Sequence, residues 1–251
     1  MAALYEQLVG STDLSFWENT FVKFYTAFIY GDRWKLYLQG VVTTLELTVI
    51  ALIFGVILGV LVAVVRTSHD QQRAGRRNPV LGLVNALCQV YTTVIRGTPM
   101  LVQLLIWGFV IFKSSRNRFL VGVIGLGINS GAYVAEIVRG GLMSVDAGQN
   151  EAGRSLGLNY LDTMRFIIIP QAFKNILPAL GNEFITLFKD TSLVSAIGSA
   201  ELLYYAQAVG TKTYEVMFPY LGAAVIYLVF VILLSWLQGK LERRLRQSDR
   251  R

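Results

Sequence analysis

Apolar residues run almost without interruption over 41–65, where Glu46 is the single charge, and this stretch is long enough to cross about 30 Å of hydrocarbon with some tilt. The segment that follows, RTSHDQQRAGRRNP (66–79), is polar and basic and belongs in water. Apolar character returns over 80–112 but breaks at Arg96-Gly97-Thr98-Pro99. Proline there removes a backbone donor and pushes the preceding residue out of helical geometry. A second span is therefore discontinuous, with its crossing expected mainly after the break and its first half near the inner surface. Past a polar turn at 113–118, residues 119–138 form a third span holding Asn129 and Glu136. Residues 182–199, with Glu183, Lys189 and Asp190, are a fourth candidate, and the uncharged 216–237 a fifth. The pattern predicts an all-α integral membrane protein of about five transmembrane helices.

Three other segments do not cross. Residues 1–40 lack the basic start, short apolar centre and small-residue cleavage site of a signal peptide, and are expected to be retained. Their aromatic residues, among them Phe16, Trp17, Phe24 and Trp34, mix with acids as in a segment lying along an outer membrane surface. The stretch 139–181 is amphipathic and too polar to cross; 239–251 is a basic tail. The expected organisation is thus an outer-face amphipathic segment (1–40), a transmembrane unit (41–238) and a cytoplasmic tail.

Charge placement sets the orientation. Fourteen Lys and Arg lie in 66–79, 139–181 and the tail, against seven in the segments of the other side, so the amino terminus is expected outside and the carboxyl terminus inside. The basic turn 113–118 runs against this rule. Over all 251 residues, 54% are hydrophobic and 16% charged, with a mean hydropathy of +0.51, which excludes an ordinary soluble domain. The net charge of +7 is dispersed between apolar runs and forms no basic face for nucleic acid. One cysteine (Cys88) and one histidine (His69, read as a solvated loop residue) provide neither a disulfide framework nor a metal site.

The fourth span carries the candidate chemistry. Three mid-bilayer charges cost about 9 kcal/mol, which eight apolar residues offset by at most about 5 kcal/mol, so this helix should not face lipid. Glu183 and Asp190, seven apart, lie about 20° from one another around a helix, with Lys189, Thr186 and Asn182 beside them. In the third span Asn129, Tyr133, Glu136 and Gly140 form a similar stripe. Two polar stripes and a broken helix are materials of a polar-solute path. The alternative is that these charges pair with one another or with Arg96 and only hold helices together; Glu46 sits near the outer end of its span and could reach the interface.

In the polar loop, 149–157 reads as a short helix stopped by Gly157, and a second helix is expected from Asn159, with Asp162 in a capping position, until Pro170. Two such helices are too large for a connector, so something should dock there. Catalytic motifs are missing: no G-x-x-x-x-G-K-[ST] and no H-E-x-x-H occur. The chain is not expected to be an enzyme.

Residues 146–198 (DAGQNEAGRSLGLNYLDTMRFIIIPQAFKNILPALGNEFITLFKDTSLVSAIG), with AYVAEIVRGGL (132–142), RGTPMLVQ (96–103) and QGVVTTLEL (39–47), resemble a permease subunit of an ABC importer for polar amino acids of the histidine/glutamine type, including its EAA loop. The resemblance covers about residues 36–240 and implies the type I importer architecture in a prokaryotic cytoplasmic membrane. It implies that Glu151, Ala152, Gly153, Arg154, Ser155, Leu156 and Gly157 dock in a groove of a separate ATPase; Gly153 stands where the family has alanine, a change expected only to soften the helix. It further implies an ATPase dimer, a second permease subunit (identical or homologous) and an extracytoplasmic binding protein. ATP and magnesium would sit on the partner ATPase, and no cofactor on this chain. For the solute path the candidates are Glu183, Lys189, Asp190, Thr191 and Ser192, then Arg96, Thr98, Tyr133 and Glu136. A stand-alone carrier, using the same charges to relay ions, and a membrane scaffold are the competing readings; the first would require an internal repeat, which is not seen.

Overall fold

The computed structural model describes residues 1–9, 11, 13–72 and 78–247, and the regular structure among them is helical throughout. Two short helices open the chain, α1 (Ala2–Leu8) and α2 (Phe16–Phe28). Ser15 starts α2 with a capping box: its hydroxyl accepts from Glu18 N, and Glu18 Oε2 accepts from Ser15 N at 2.9 Å.

The first apolar run lies within α3 (Trp34–Asp70), whose 37 residues reach about 55 Å. The helix continues past the apolar run because Arg66, Thr67 and Ser68 change polarity without introducing proline or glycine. His69 is consequently in the last turn of α3, its ring Nδ1 3.2 Å from the amide nitrogen of Asn85, and not in a solvated loop.

Helix α4 (Pro79–Gly97) begins with Asn78, whose Oδ1 accepts from Val80 N and Leu81 N, and with proline at the first helical position. It stops at the expected break: Thr98 is extended (φ −119°, ψ 147°) ahead of Pro99. Helix α5 (Met100–Leu105) follows and runs on through a wide π turn, Ile106–Ile111. After the break, Met100–Ile111 runs from the level of Asn129, which Gln103 meets, to that of Arg118, which donates to Gly108 O, whereas α4 stays beside the last turns of α3, its Asn85 against His69 and its Thr92 against Arg66. By length and composition alone α4 is also long and apolar enough to cross.

Helix α6 (Arg118–Met143) is the centre of the molecule, with 72% of its apolar window buried, against 11% in α4 and in the last helix. It lies close against α3 because α3 presents Gly55 and Gly59: a Cβ at Gly59 would come within 2.7 Å of the Val134 side chain, and one at Gly55 within 3.0 Å of Ser130. This small-xxx-small seam is how helices approach where no water drives them together.

The polar loop between α6 and the fourth candidate span contains α7 (Ala147–Ser155) and α8 (Tyr160–Thr163). Contrary to expectation, Pro170 does not end the second helix. A π turn at Met164–Ile168 widens the helix just before the proline, which then occupies the first turn of α9 (Ile169–Asp190). The helix at the fourth candidate span therefore starts at Ile169, not 182, and stops at Asp190, where the chain tightens into a 3₁₀ segment, Thr191–Ile197. A further short helix, α10 (Leu202–Thr213), precedes α11 (Met217–Gln247). Among the described residues four helices are long and apolar enough to cross a membrane; α9, with its charges, is not one of them.

Three apolar clusters hold these helices together. Leu47, Leu104, Leu126 and Val194 join α3, α5, α6 and the 3₁₀ segment, Ala63, Val134 and Ile176 join α3, α6 and α9, and Tyr37, Leu202 and Ala223 join α3, α10 and α11.

Candidate functional site

The break between α4 and α5 frees backbone carbonyls inside the protein, and Gln103 meets them. Its Nε2 donates to Ile95 O (2.7 Å), Thr98 O (3.1 Å) and Thr98 Oγ1 (2.7 Å). Its Oε1 accepts from Asn129 Nδ2 at 3.0 Å. The next residue on α6, Ser130, turns to another helix and donates to Glu183 Oε1 on α9 at 2.7 Å. Two separate polar groups, Thr98–Gln103–Asn129 and Ser130–Glu183, thus meet neighbouring positions of α6. Gln103 and Ser130 were not read as site residues; the signal for Gln103 was an amide four positions after Pro99 in an otherwise apolar run.

Beyond Glu183, the polar strip of α9 turns away from the chain's own core. Asn182 and Lys189 are exposed, Glu183 and Asp190 partly buried. Thr191 is fully buried, its hydroxyl donating to Phe188 O at 2.6 Å, and Ser192 is partly buried at the start of the 3₁₀ segment. Of the five residues singled out here, Glu183, Lys189, Asp190 and Ser192 retain some exposure and Thr191 has none.

Glu136 belongs to a different cluster. Its carboxylate is ion-paired with Arg66 of α3, lies 3.5 Å from Arg139 and 4.0 Å from Arg96, and Arg139 in turn is 3.7 Å from Asp70. The Arg96 guanidinium sits 5.4 Å from the centre of the Tyr133 ring. Glu136, Arg96 and Tyr133 are therefore brought together, toward the carboxyl-terminal ends of α3 and α6 and away from Glu183. The pairing alternative describes Glu136 and Arg96 well. Arg66 is the missed partner: it sits 70 positions away, at the end of an apolar run.

A third polar group went unnoticed in the sequence. Glu201 is fully buried, accepts from Leu203 N (2.9 Å) and Tyr204 N (2.7 Å) at the start of α10, and accepts from Tyr227 Oη of α11 at 2.7 Å. An acid just before an apolar helix was the available signal.

In the loop, Gly157 adopts φ +81° and ends α7 as expected: Leu158 N donates to Gly153 O, and Gly157 N to Arg154 O. Asn159 starts α8, its Oδ1 accepting from Asp162 N at 2.9 Å. Glu151, Ala152, Arg154, Ser155 and Leu156 are exposed, Leu156 by 81%. Gly153 alone faces inward. A Cβ there would come within 2.9 Å of Thr163 Cγ2 and 3.0 Å of Ile167 Cδ1, so glycine allows α7 to lie against the α8 turn and does more than soften the helix.

Taken together, a bundle of membrane-length helices, polar side chains tied between them beside an outward-turned charged strip, and a helical loop with an exposed leucine define a membrane-embedded transport subunit. The chain belongs to the family of binding-protein-dependent transport system inner membrane components, which its residues 74–247 match. It is 38% identical over 211 residues to the putative glutamine transport system permease protein GlnP of Rickettsia prowazekii, covering 83% of this chain and 92% of that protein. It is 36% identical over 215 residues to the arginine transport system permease protein ArtQ of Bacillus subtilis, covering 84% and 93%. Its fold is similar to that of an amino acid ABC transporter solved with histidines, with a TM-score of 0.75 and 43% identity over 84% of this chain and 94% of that one. The chain is accordingly a permease of the ABC importer type.

Proposed function

We propose that this permease passes a polar amino acid, delivered by an external binding protein, into the cytoplasm, driven by ATP hydrolysis on a separate ATPase dimer. The chain itself is non-catalytic; ATP and magnesium belong to the partner. Exposed Glu151 to Gly157, with Leu156 at its outer corner, form the surface on which the ATPase docks, and α7 passes its movement to α9 through the Gly153–Thr163 contact. The observation that carries the reading is the outward-turned strip of α9: Asn182 and Lys189 cannot lie in lipid without a cost of a few kcal/mol, so a second permease, identical or homologous, must face them across a water-accessible path. Along that path Glu183 and Asp190 meet the ammonium group of the substrate, a demand that a cationic amino acid satisfies best, and Lys189 its carboxylate, with Thr98, Thr191 and Ser192 nearby. Glu136, Arg96 and Tyr133 hold the inner ends of the helices in register.

The excess of Lys and Arg in the loops and tail of one side supports a cytoplasmic carboxyl terminus and an outer amino terminus. Residues 1–40 then lie at the outer face, 41–238 form the permease unit with its coupling loop at 139–181, and 239–251 the cytoplasmic tail. The test is reconstitution: the chain with an ATPase and a binding protein from the same genome should accumulate labelled glutamine, arginine or histidine in proteoliposomes only with ATP. Uptake driven by an ion gradient without the ATPase would defeat the reading, as would a Glu183→Gln/Asp190→Asn double variant with unchanged uptake.

A further inference from the structure

A second polar site lies at the opposite end of α3 from the ion-pair cluster. Gln39, Thr43 and Glu46 follow i, i+4, i+7 spacing and line one wall of a cleft of about 530 Å³, within the range of roughly 300–1,000 Å³ typical of small-molecule sites. Arg116 and Asn117, from the turn before α6, line another wall, and Ser199 and Tyr205 line it beside α10.

Three observations mark this cleft as built for a ligand. Glu46 and Arg116 carry opposite charges and line the same space, yet neither makes an ion pair among the described residues. Ser199 is 2% exposed, and its hydroxyl has no hydrogen-bond partner, an arrangement that costs free energy unless something enters to meet it. The turn that carries the exposed Arg116 is anchored on its carboxyl-terminal side. The neighbouring Asn117 caps α6 by accepting from Leu120 N at 3.0 Å, and Arg118 is fixed by donating to Gly108 O at 2.7 Å and by stacking over Phe109. The basic turn that violates the charge-orientation rule thus leaves one guanidinium free beside a cleft.

We infer that this cleft is a reception site for the zwitterionic end of a free amino acid, with Glu46 meeting its α-ammonium group and Arg116, with the Ser199 hydroxyl, its α-carboxylate. The inference rests on the amino-acid importer reading and deepens it. The cleft recognises what all α-amino acids share and is read before the substrate reaches Glu183 and Asp190. A recessed hydroxyl in a cleft that two unpaired opposite charges also line suits a small dipolar ligand better than the flat surface of a docking protein.

The test uses the whole assembly in nanodiscs, without binding protein, and whichever of labelled glutamine, arginine or histidine the wild type imports. Competition is measured with the matching amine, which lacks the carboxylate, and the matching deamino acid, which lacks the ammonium. Glu46→Gln should weaken binding of the amino acid and the amine about tenfold and leave the deamino acid unaffected, the loss of one charge-assisted contact. Arg116→Gln should do the reverse. Identical competition profiles in both variants and wild type overturn the site while leaving the importer reading intact. So does an effect seen only as weaker attachment of the binding protein, which makes these residues a protein-docking surface. A wild type that imports none of the three with ATP overturns both.

Discussion

Ser130 on α6 donates to Glu183 on α9 across 2.7 Å, and the adjacent Asn129 donates to Gln103 of α5 across 3.0 Å, so two neighbouring residues tie three helices at one level of the bundle. Glu183 is in this way held in place while remaining only partly buried. Ser130→Ala should cost about 1 kcal/mol of stability, the ordinary worth of a side-chain hydrogen bond. Glu183→Gln keeps an acceptor for Ser130 and should leave the melting temperature near that of the wild type. Both should lower substrate-stimulated ATPase activity of the assembly, the serine variant because an untethered carboxylate is misplaced. Equal activity in Ser130→Ala and wild type would show that the tether does not position Glu183.

Gln103 answers the carbonyls that the helix break exposes. Gln103→Leu, close in volume, strands Ile95 O, Thr98 O and Asn129 Nδ2 in a site where Gln103 itself is 6% exposed. A loss of about 2–3 kcal/mol is expected from the unmet polar groups, read as a fall in thermal unfolding temperature in detergent. A merely apolar role for this position would leave stability unchanged or raised.

Glu136 neutralises a cluster that otherwise gathers Arg66, Arg96 and Arg139. Glu136→Gln leaves Arg66 and Arg96 facing an amide, with Asp70 still beside Arg139, and should destabilise by about 2–3 kcal/mol, below the full cost of breaking a buried pair because Glu136 is 24% exposed. A double-mutant cycle with Arg66→Met measures the pair: the two changes together should cost less than their sum. Additive losses would mean that the contact carries no coupling.

Gly153→Ala sets two effects against each other. Alanine favours the helix by about 1 kcal/mol, but its Cβ meets the branched, rotamer-restricted Thr163 at 2.9 Å. The expected outcome is weaker binding of the ATPase to the permease in a pull-down titration, because α7 is pushed off the α8 turn. Thr163→Ser, which removes the obstructing methyl, should restore it. If Gly153→Ala binds as well as wild type, the close approach is not required for docking.

Much of this architecture was legible in the order of the residues. The apolar runs placed α3, α6 and α11, and Thr98-Pro99 placed the break. Gly157 and Asn159 placed the end of one loop helix and the start of the next, because each of these signals acts on its own few backbone bonds. Pro170 misled for the same reason: its local meaning is a stop, and only the π turn at Met164–Ile168 makes room for its ring and carries the helix through to Asp190. The end of α3 was misplaced because polarity changes at Arg66 while helix propensity does not.

The sequence determined which side chains are polar inside apolar stretches, and that they need partners. It could not assign those partners, since Glu183 meets Ser130 from 53 positions away and Glu136 meets Arg66 from 70. Those pairings depend on how far each helix is rotated about its axis and where it crosses its neighbour, and these are fixed by the glycine seam of α3 against α6 and by the clusters packed around it. Only tertiary structure could decide that Thr191 turns inward while Lys189 and Asn182 turn outward, because a helix carries its polar strip on every turn and the neighbours it packs against choose which part is covered.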